Sequence, residues 1–362
     1  NLVSNVKGKG LLALDGDSGL KDAGSTTLVF SGNTLSNPHV TAEGYAEAVG
    51  SAGGLVGYNT AVFNPFAISD PLITYVDDSW ASSTPWTDPD GTGPATYYGY
   101  DAFSTIQEAV DAVVTGGTVN VAAGTYVENV SIDKQVSIVA AGSGTEGTIV
   151  TTPTGFDTKV GVFQITGSGT SGAPLLLKDM RVQPVGQAGI SVGRFTEATG
   201  QNVSYLTLNN INVIGTNTNP STEQERGLYV DLTSTLDHLT VTNSAFNNLT
   251  YGWYIHKQVS AEMSTVSNVS VTNTVFNHNN HKGLYSEKLT NATFTGCTFD
   301  QNGFDASVLP TYFRPWSAGV DINLKAGSYE NLSFINSTIT NNALGGAKEG
   351  VGITFKARDD GT

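Results

Sequence analysis

Asp231, His256 and Glu287 hold the same place in three copies of a short element that opens with glycine, and Tyr229, Tyr254 and Tyr285 each stand two residues before them. The copies read Gly189-Ile-Ser-Val-Gly, Gly227-Leu-Tyr-Val-Asp, Gly252-Trp-Tyr-Ile-His, Gly283-Leu-Tyr-Ser-Glu, Gly319-Val-Asp-Ile-Asn and Gly352-Ile-Thr-Phe-Lys. Carboxylates and imidazole move protons near neutral pH. A tyrosine ring joins a flat apolar face to a polar tip, the shape that packs on a sugar. Two carboxylates at a suitable separation also make the acid and base of glycoside cleavage. The chemistry these residue types offer is saccharide binding, with or without proton transfer.

The element that positions them reads as a strand. The first and third residues after each glycine are apolar in every copy but one, where Ser286 stands, so they point inward and the second and fourth point outward. Stacked about 4.8 Å apart, the outward positions form two columns. The first is Ser191, Tyr229, Tyr254, Tyr285, Asp321 and Thr354; the second is Gly193, Asp231, His256, Glu287, Asn323 and Lys356. If the chain is an enzyme, His256, Tyr254, Asp231 and Glu287 are the catalytic candidates. Tyr229, Tyr254, Tyr285, Asp321, Asn323 and Lys356 are the candidates for ligand binding. The competing reading is a solvated sheet face, on which tyrosines are ordinary and Asp231, His256 and Glu287 form cross-strand charge pairs. A groove walled by residues 215–226 and 300–318, with perturbed titrating groups, favours the enzyme; a flat strip favours a scaffold.

A second element, apolar-x-apolar-x-Asn-x-x-apolar, recurs at Leu206–Val213, Leu239–Phe246, Val269–Phe276 and Leu332–Ile339, with Gly296 in the asparagine place at Ala292–Phe299. The asparagine positions 210, 243, 273, 296 and 336 are 33, 30, 23 and 40 residues apart. Uneven steps describe a constant coil with loops of variable length, the mark of a solenoid. Asparagines stacked in equivalent turns satisfy backbone groups, and that role also accounts for the Asn-x-Ser/Thr sites at Asn129, Asn202, Asn248, Asn268 and Asn291.

One amphipathic helix is expected, with Phe103, Ile106, Ala109, Val110 and Val113 on its apolar stripe and Gly116-Gly117 ending it. Short alternating strands follow. This segment, FSTIQEAVDAVVTGGTVNVAAGTYVENVSIDKQVSIVAAG, resembles the opening of pectin-lyase-like and pectin-esterase-like proteins. The resemblance implies an all-β fold, a right-handed parallel β-helix with a short capping α-helix at its N-terminal end. It implies little about activity, because lyases, hydrolases, esterases, epimerases, adhesins and inert surface proteins share that opening. Tyr251-Gly252-Trp253-Tyr254-Ile255-His256 resembles the Tyr-Gly-Phe-Asp-Pro-His segment of alginate C5-epimerases, which would make Tyr251 and His256 the proton-shuttling pair. Tyr254 replaces the aspartate of that motif and Ile255 its proline.

The net charge of −15 excludes nucleic acid as a partner. No apolar run reaches the roughly 18 residues of a membrane span, so membrane insertion is not expected. Cys297 is the single cysteine, set in an apolar-alternating run that reads as core, so no internal disulfide exists. No cofactor is implied. Ca2+ is the one ion the acidic turns at Asp15, Asp88–Asp90 and Asp359–Asp360 could hold, and each lacks a full ligand series. Three regions are expected: a Gly-rich β segment over 1–75, a turn-rich linker over 76–100 and the β-helix over 101–362. Gly10–Gly16 resembles the Gly-led element, and Leu28–Asn37 resembles Leu332–Asn341, so the first segment reads as the tail of a preceding β-helix in a longer, tandem protein. The functional expectation is a structural or adhesive module of a large secreted or cell-surface protein. Its expected partners are polysaccharide, bound along the tyrosine strip, or other copies of the same protein. The alternative is a polysaccharide lyase, C5-epimerase or glycoside hydrolase using the same strip.

Overall fold

The computed structural model describes residues 70–85, 87–194, 200–216, 225–257, 264–304, 316–344 and 350–361. Before residue 70 it describes the backbone of the strands Leu2–Ser4, Leu28–Phe30, Thr34–Ser36, Ala61–Phe63 and Ala67–Ile68. Gly10–Gly16 lies outside the described residues.

The chain winds as a parallel β-helix. The Gly-led strands form one parallel sheet running from Val130–Ile132 through Gly161–Ile165, Ala188–Val192, Arg226–Val230, Tyr251–Ile255, Lys282–Ser286 and Ala318–Gly327 to Val351–Gly361. The strands of the asparagine element form the other two faces, joined in a second large parallel sheet. Equivalent residues stack from coil to coil. Ile190, Leu228, Trp253, Leu284, Val320 and Ile353 are consecutive partners on the first face. On the third face Val213, Phe246, Phe276, Phe299 and Ile339 do the same, and the Phe276 and Phe299 rings lie 4.6 Å apart, 5° from parallel. These ladders are the core, and each coil buries its neighbour.

Every coil passes through left-handed backbone positions. Asp179, Asn210, Asn243, Asn273, Gly296 and Asn336 have φ between 49° and 63°, so the predicted asparagine column is a column of left-handed residues. Glycine and asparagine tolerate that conformation best. The N–H groups of Asn243, Asn273 and Gly296 each donate to a carbonyl of the following coil, those of Thr272, Thr295 and Ile335. Two further such columns run parallel, one through Tyr205, His238, Asn268, Asn291 and Asn331, the other through Asn248, His278, Gln301 and Asn341. The Asn248, Asn268 and Asn291 sites therefore sit at left-handed bends of the coil, the last two within the strands Val266–Thr272 and Leu289–Thr295.

A buried amide ladder joins the last coils. Asn279 Nδ2 donates to Asn302 Oδ1 at 2.7 Å, and Asn302 Nδ2 to Asn342 Oδ1 at 2.9 Å. The same amides donate to the carbonyls of Phe246, Phe276 and Phe299. The Gly-led glycines are needed for the same close stacking. A Cβ on Gly252 would lie 2.9 Å from Phe276 Cδ1 and press on the Gly283 carbonyl, so this position faces the core. The residues before Gly227, Gly252 and Gly283 nevertheless face outward: Arg226 and Lys282 lie over rings of the outward tyrosine column, and Tyr251 packs on Tyr254.

The helix spans Ile106–Ala112, capped by Thr105, whose hydroxyl accepts from Glu108 N–H. It is shorter than its apolar stripe: Phe103 belongs to the strand Ala102–Phe103, paired with Val76, because the cap at Thr105 fixes where helical hydrogen bonding starts. Ile73–Val76 pairs with Thr118–Val121 in the large sheet, so the solenoid includes this strand ahead of the turn-rich stretch.

Asn302→Ala is expected to lower unfolding free energy by about 2–4 kcal/mol, since buried partners on both sides lose their bonds. Urea unfolding monitored by circular dichroism checks this; an unchanged midpoint would remove the amide ladder from the account.

Candidate functional site

The first predicted column is present in register from coil to coil, and the second is shown as strand partners at its last pair. Ser191↔Tyr229, Tyr229↔Tyr254, Tyr254↔Tyr285, Tyr285↔Asp321 and Asp321↔Thr354 are strand partners, and so are Asn323 and Lys356. The strip is not a flat solvated face, however. Tyr229, Asp231, Tyr285, Glu287, Asp321 and Asn323 point away from the core, yet none is more than 8% exposed. Nor are the tyrosines open platforms. Tyr254 lies between Tyr229 and Tyr285, with ring centroids 5.8 and 5.3 Å away and interplanar angles of 17° and 25°. The faces meet one another, and Arg226 sits over Tyr229 and Tyr254 at 5.0 and 4.8 Å.

The buried hydroxyls are used internally. Tyr229 donates to Asp231 Oδ1 and Tyr285 to Glu287 Oε1, both at 2.6 Å. Burial first, and the adjacent carboxylate second, raise both phenols. Glu287 also pairs with Lys325 Nζ at 2.6 Å and accepts from Lys257 N–H at 2.8 Å. Asp321 accepts from Lys282 Nζ at 2.7 Å and faces Lys356 Nζ at 3.2 Å. A carboxylate removed from water needs such partners to stay ionised. Asp231 and Glu287 therefore act within the wall.

Tyr254, Tyr285, His256, Asp321, Asn323 and Lys356 do come together, around a cavity of about 590 Å³. Tyr251, His281, Lys282, Lys325, Arg358 and Trp316 complete its lining. Sequence reasoning missed most of these. Tyr251 and Lys282 precede their glycines, where strict alternation would put them in the core; Lys325 and Arg358 lie two residues beyond the five-residue element. Among the described residues, Asn323 Oδ1 and His256 Nδ1 are buried without a hydrogen-bond partner. Asn323 is held by donating to Tyr285 Oη at 3.0 Å. His256 Nε2 lies 3.7 Å from Glu287 Oε2. Burial pushes the His256 imidazole down to about 4, against the pull of Glu287 and with the help of Lys325, Arg226 and Lys288, so it is neutral at pH 7.

Lys288 is fully buried and anchors the backbone of neighbouring coils. Its Nζ donates to the carbonyls of Asp231 and Ser234 at 2.6 and 2.5 Å. Burial, opposed by Asp231, lowers its ammonium to about 7.

Among the described residues no group of three His, Cys, Asp or Glu side chains could hold a metal ion. Asp88 Oδ1 instead accepts from the N–H groups of Asp90 and Gly91, closing a turn. The side chains of Asp15 and of Asp359–Asp360 lie outside the described residues. Cys297 is buried, and no described helix is long and apolar enough to cross a membrane. Comparisons with family models, curated proteins and solved structures find no match to this chain.

The His256 environment gives a pH signature. Its pKa rises from about 4 in the folded chain to the ordinary 6.5 on unfolding, so the unfolded state binds more protons between those values. Its share of stability is complete above pH 6.5 and is lost as pH falls toward 4, by up to about 3 kcal/mol. Urea unfolding of the native chain and of His256→Gln should diverge in pH dependence over this range. Parallel profiles would contradict a neutral, buried His256.

Proposed function

We propose that this chain is a polysaccharide-binding module of a large secreted or cell-surface protein, of the pectin-lyase-like β-helix superfamily, and that it holds an acidic saccharide in the cavity around Asn323. The observation that carries this reading is charge. In a chain of net charge −15, Lys282, Lys325, Lys356 and Arg358 converge on one cavity. Among the described residues the carboxylates there are Asp321 and, just behind, Glu287. Among the described residues cations therefore outnumber anions at the cavity, a balance that suits a uronate or sulfate group. Trp316, 36% exposed at the rim, supplies the apolar surface on which a sugar ring packs. Asn323 Oδ1 offers an acceptor to a hydroxyl.

A second reading is favoured by one specific feature, the neutral His256 with an unpartnered Nδ1 beside those cations. A neutral imidazole accepts a proton, and nearby cations stabilise the carbanion formed beside a carboxylate. That chemistry is lyase or epimerase chemistry.

A panel of acidic and neutral polysaccharides, assayed for binding and for ultraviolet-absorbing unsaturated products, separates the readings. Acidic chains should bind in preference to neutral ones, more weakly as salt rises. Lys356→Ala and Trp316→Ala should each weaken binding by about tenfold. Products that vanish in His256→Ala would make the module an enzyme. Equal binding of neutral and acidic chains would overturn the acidic-saccharide reading.

A further inference from the structure

The sheet of the asparagine element has an outward face that the cavity does not use. Its strands Asn202–Ile214, Thr235–Thr242, Val266–Thr272, Leu289–Thr295 and Leu332–Ile335 lie side by side. Along them Leu239, Val241, Val269, Val271, Ala292 and Phe294 are buried in the core, so the residues that alternate with these point outward and are at least partly exposed. They stack in two columns. One is Thr207, Thr240, Ser270, Thr293 and Ser333; the other is Asn209, Thr242, Thr272, Thr295 and Ile335. Eight of these ten positions carry a hydroxyl and none carries a charge. The other outward faces do carry charge: Asp321, Lys325 and Lys356 on the Gly-led sheet, Arg181 and Asp300 on the third face. Threonine alone is ordinary on a solvated strand. Solvated surfaces mix it with charged side chains, and a charge-free array in a chain of net charge −15 suits a partner that is itself uncharged.

The array also has a fixed step. Phe294 and Phe334, which stand on the core side between the two columns, stack 4.8 Å apart and 6° from parallel. Strand partners follow one another across the five strands without a register shift. Most sheets twist; here stacked side chains hold successive coils in line. Threonine is stiff at its first side-chain torsion, so the hydroxyls stand at set points, about 4.8 Å apart from coil to coil and about 6.6 Å apart along a strand. Asn209 Nδ2 donates to Thr242 Oγ1 at 2.9 Å. Among the described residues the hydroxyls of the first column make no hydrogen bond within the chain, and each can both donate and accept.

We propose that this threonine face binds the surface of ice. Ice is an uncharged lattice of oxygen atoms that donate and accept hydrogen bonds, and along one crystal axis they repeat at nearly the coil-to-coil step. A single hydroxyl gains little by exchanging liquid water for ice, since both offer the same bonds. Many hydroxyls held at the lattice repeat gain together, because the ordering they need is already built into the solenoid. The threonine methyls between them leave the face part apolar, which lowers the cost of giving up liquid water. A charge there would keep its own hydration and break the match. The inference does not rest on the saccharide reading, which concerns the Gly-led sheet.

The test uses the full chain, in an assay of ice recrystallisation during annealing of a frozen solution. The native chain should slow crystal growth. Ser270→Lys and Thr293→Tyr, both in the middle of the face, should each raise the concentration needed at least about tenfold. Thr298→Lys, an outward substitution on the neighbouring face, should leave it unchanged. Thermal unfolding of all three variants checks that they fold. Co-sedimentation with microcrystalline cellulose and chitin runs alongside. A native chain without effect on ice growth overturns the proposal, as does equal activity of folded Ser270→Lys and Thr298→Lys. Binding to cellulose or chitin that Ser270→Lys abolishes, in a chain inert toward ice, also overturns it and gives the face to a crystalline polysaccharide.

Discussion

The constraint on which the rest depends is that each coil must land directly on the one before it. A parallel ladder along the solenoid requires every coil to change direction at the same places, and the turns available to a chain this tightly wound use left-handed backbone. Columns rich in asparagine, with glycine at position 296 and Asp179, Tyr205, His238, His278 and Gln301 in other places, answer that demand. Once the turns are fixed, side chains stack by type: phenylalanine on phenylalanine inside, amide on amide at Asn279, Asn302 and Asn342. Loop length is then free to vary, which is why the repeat steps range from 23 to 40 residues without disturbing register.

That logic explains what the sequence makes legible. The Gly-led columns follow from strand alternation alone, and every pair expected from Ser191 to Thr354 is a strand partner. The column of Asn210, Asn243, Asn273, Gly296 and Asn336 is legible because its neighbours keep a fixed pattern. The buried amide ladder from Asn279 to Asn342 is not, because its place is held by Leu249 in the preceding coil, whose N–H Asn279 caps. Arg226, Tyr251 and Lys282 escape because alternation breaks at the glycine, where a core-facing position carries no side chain. Burial of the tyrosine strip escapes for a different reason: alternation tells which way a side chain points from its own sheet and nothing of what stands over it.

The site shows how a charged cavity is built into such a frame. Stacking brings like positions of successive coils about 4.8 Å apart, so charges on one column would repel unless neighbouring columns carry the opposite sign. Glu287 meets Lys325 and Asp321 meets Lys282 across columns, so both carboxylates have a cation partner in a poorly hydrated setting. Tyr285 adds its hydroxyl to Glu287, Tyr229 bonds Asp231, and the tyrosine rings brace one another with their faces. Among the described residues the Asn323 carbonyl oxygen and Nδ1 of the neutral His256 are left uncommitted at the cavity, and cations outnumber anions there.

The most direct test is amide hydrogen exchange on the whole chain, with and without an acidic oligosaccharide. Residues 251–256, 282–287, 318–325 and 351–358 are far apart in sequence and adjacent only because the coils stack. The account predicts that all four gain protection together on ligand addition. Protection of one segment alone, or protection elsewhere while these four are unchanged, would contradict a shared anion-binding cavity.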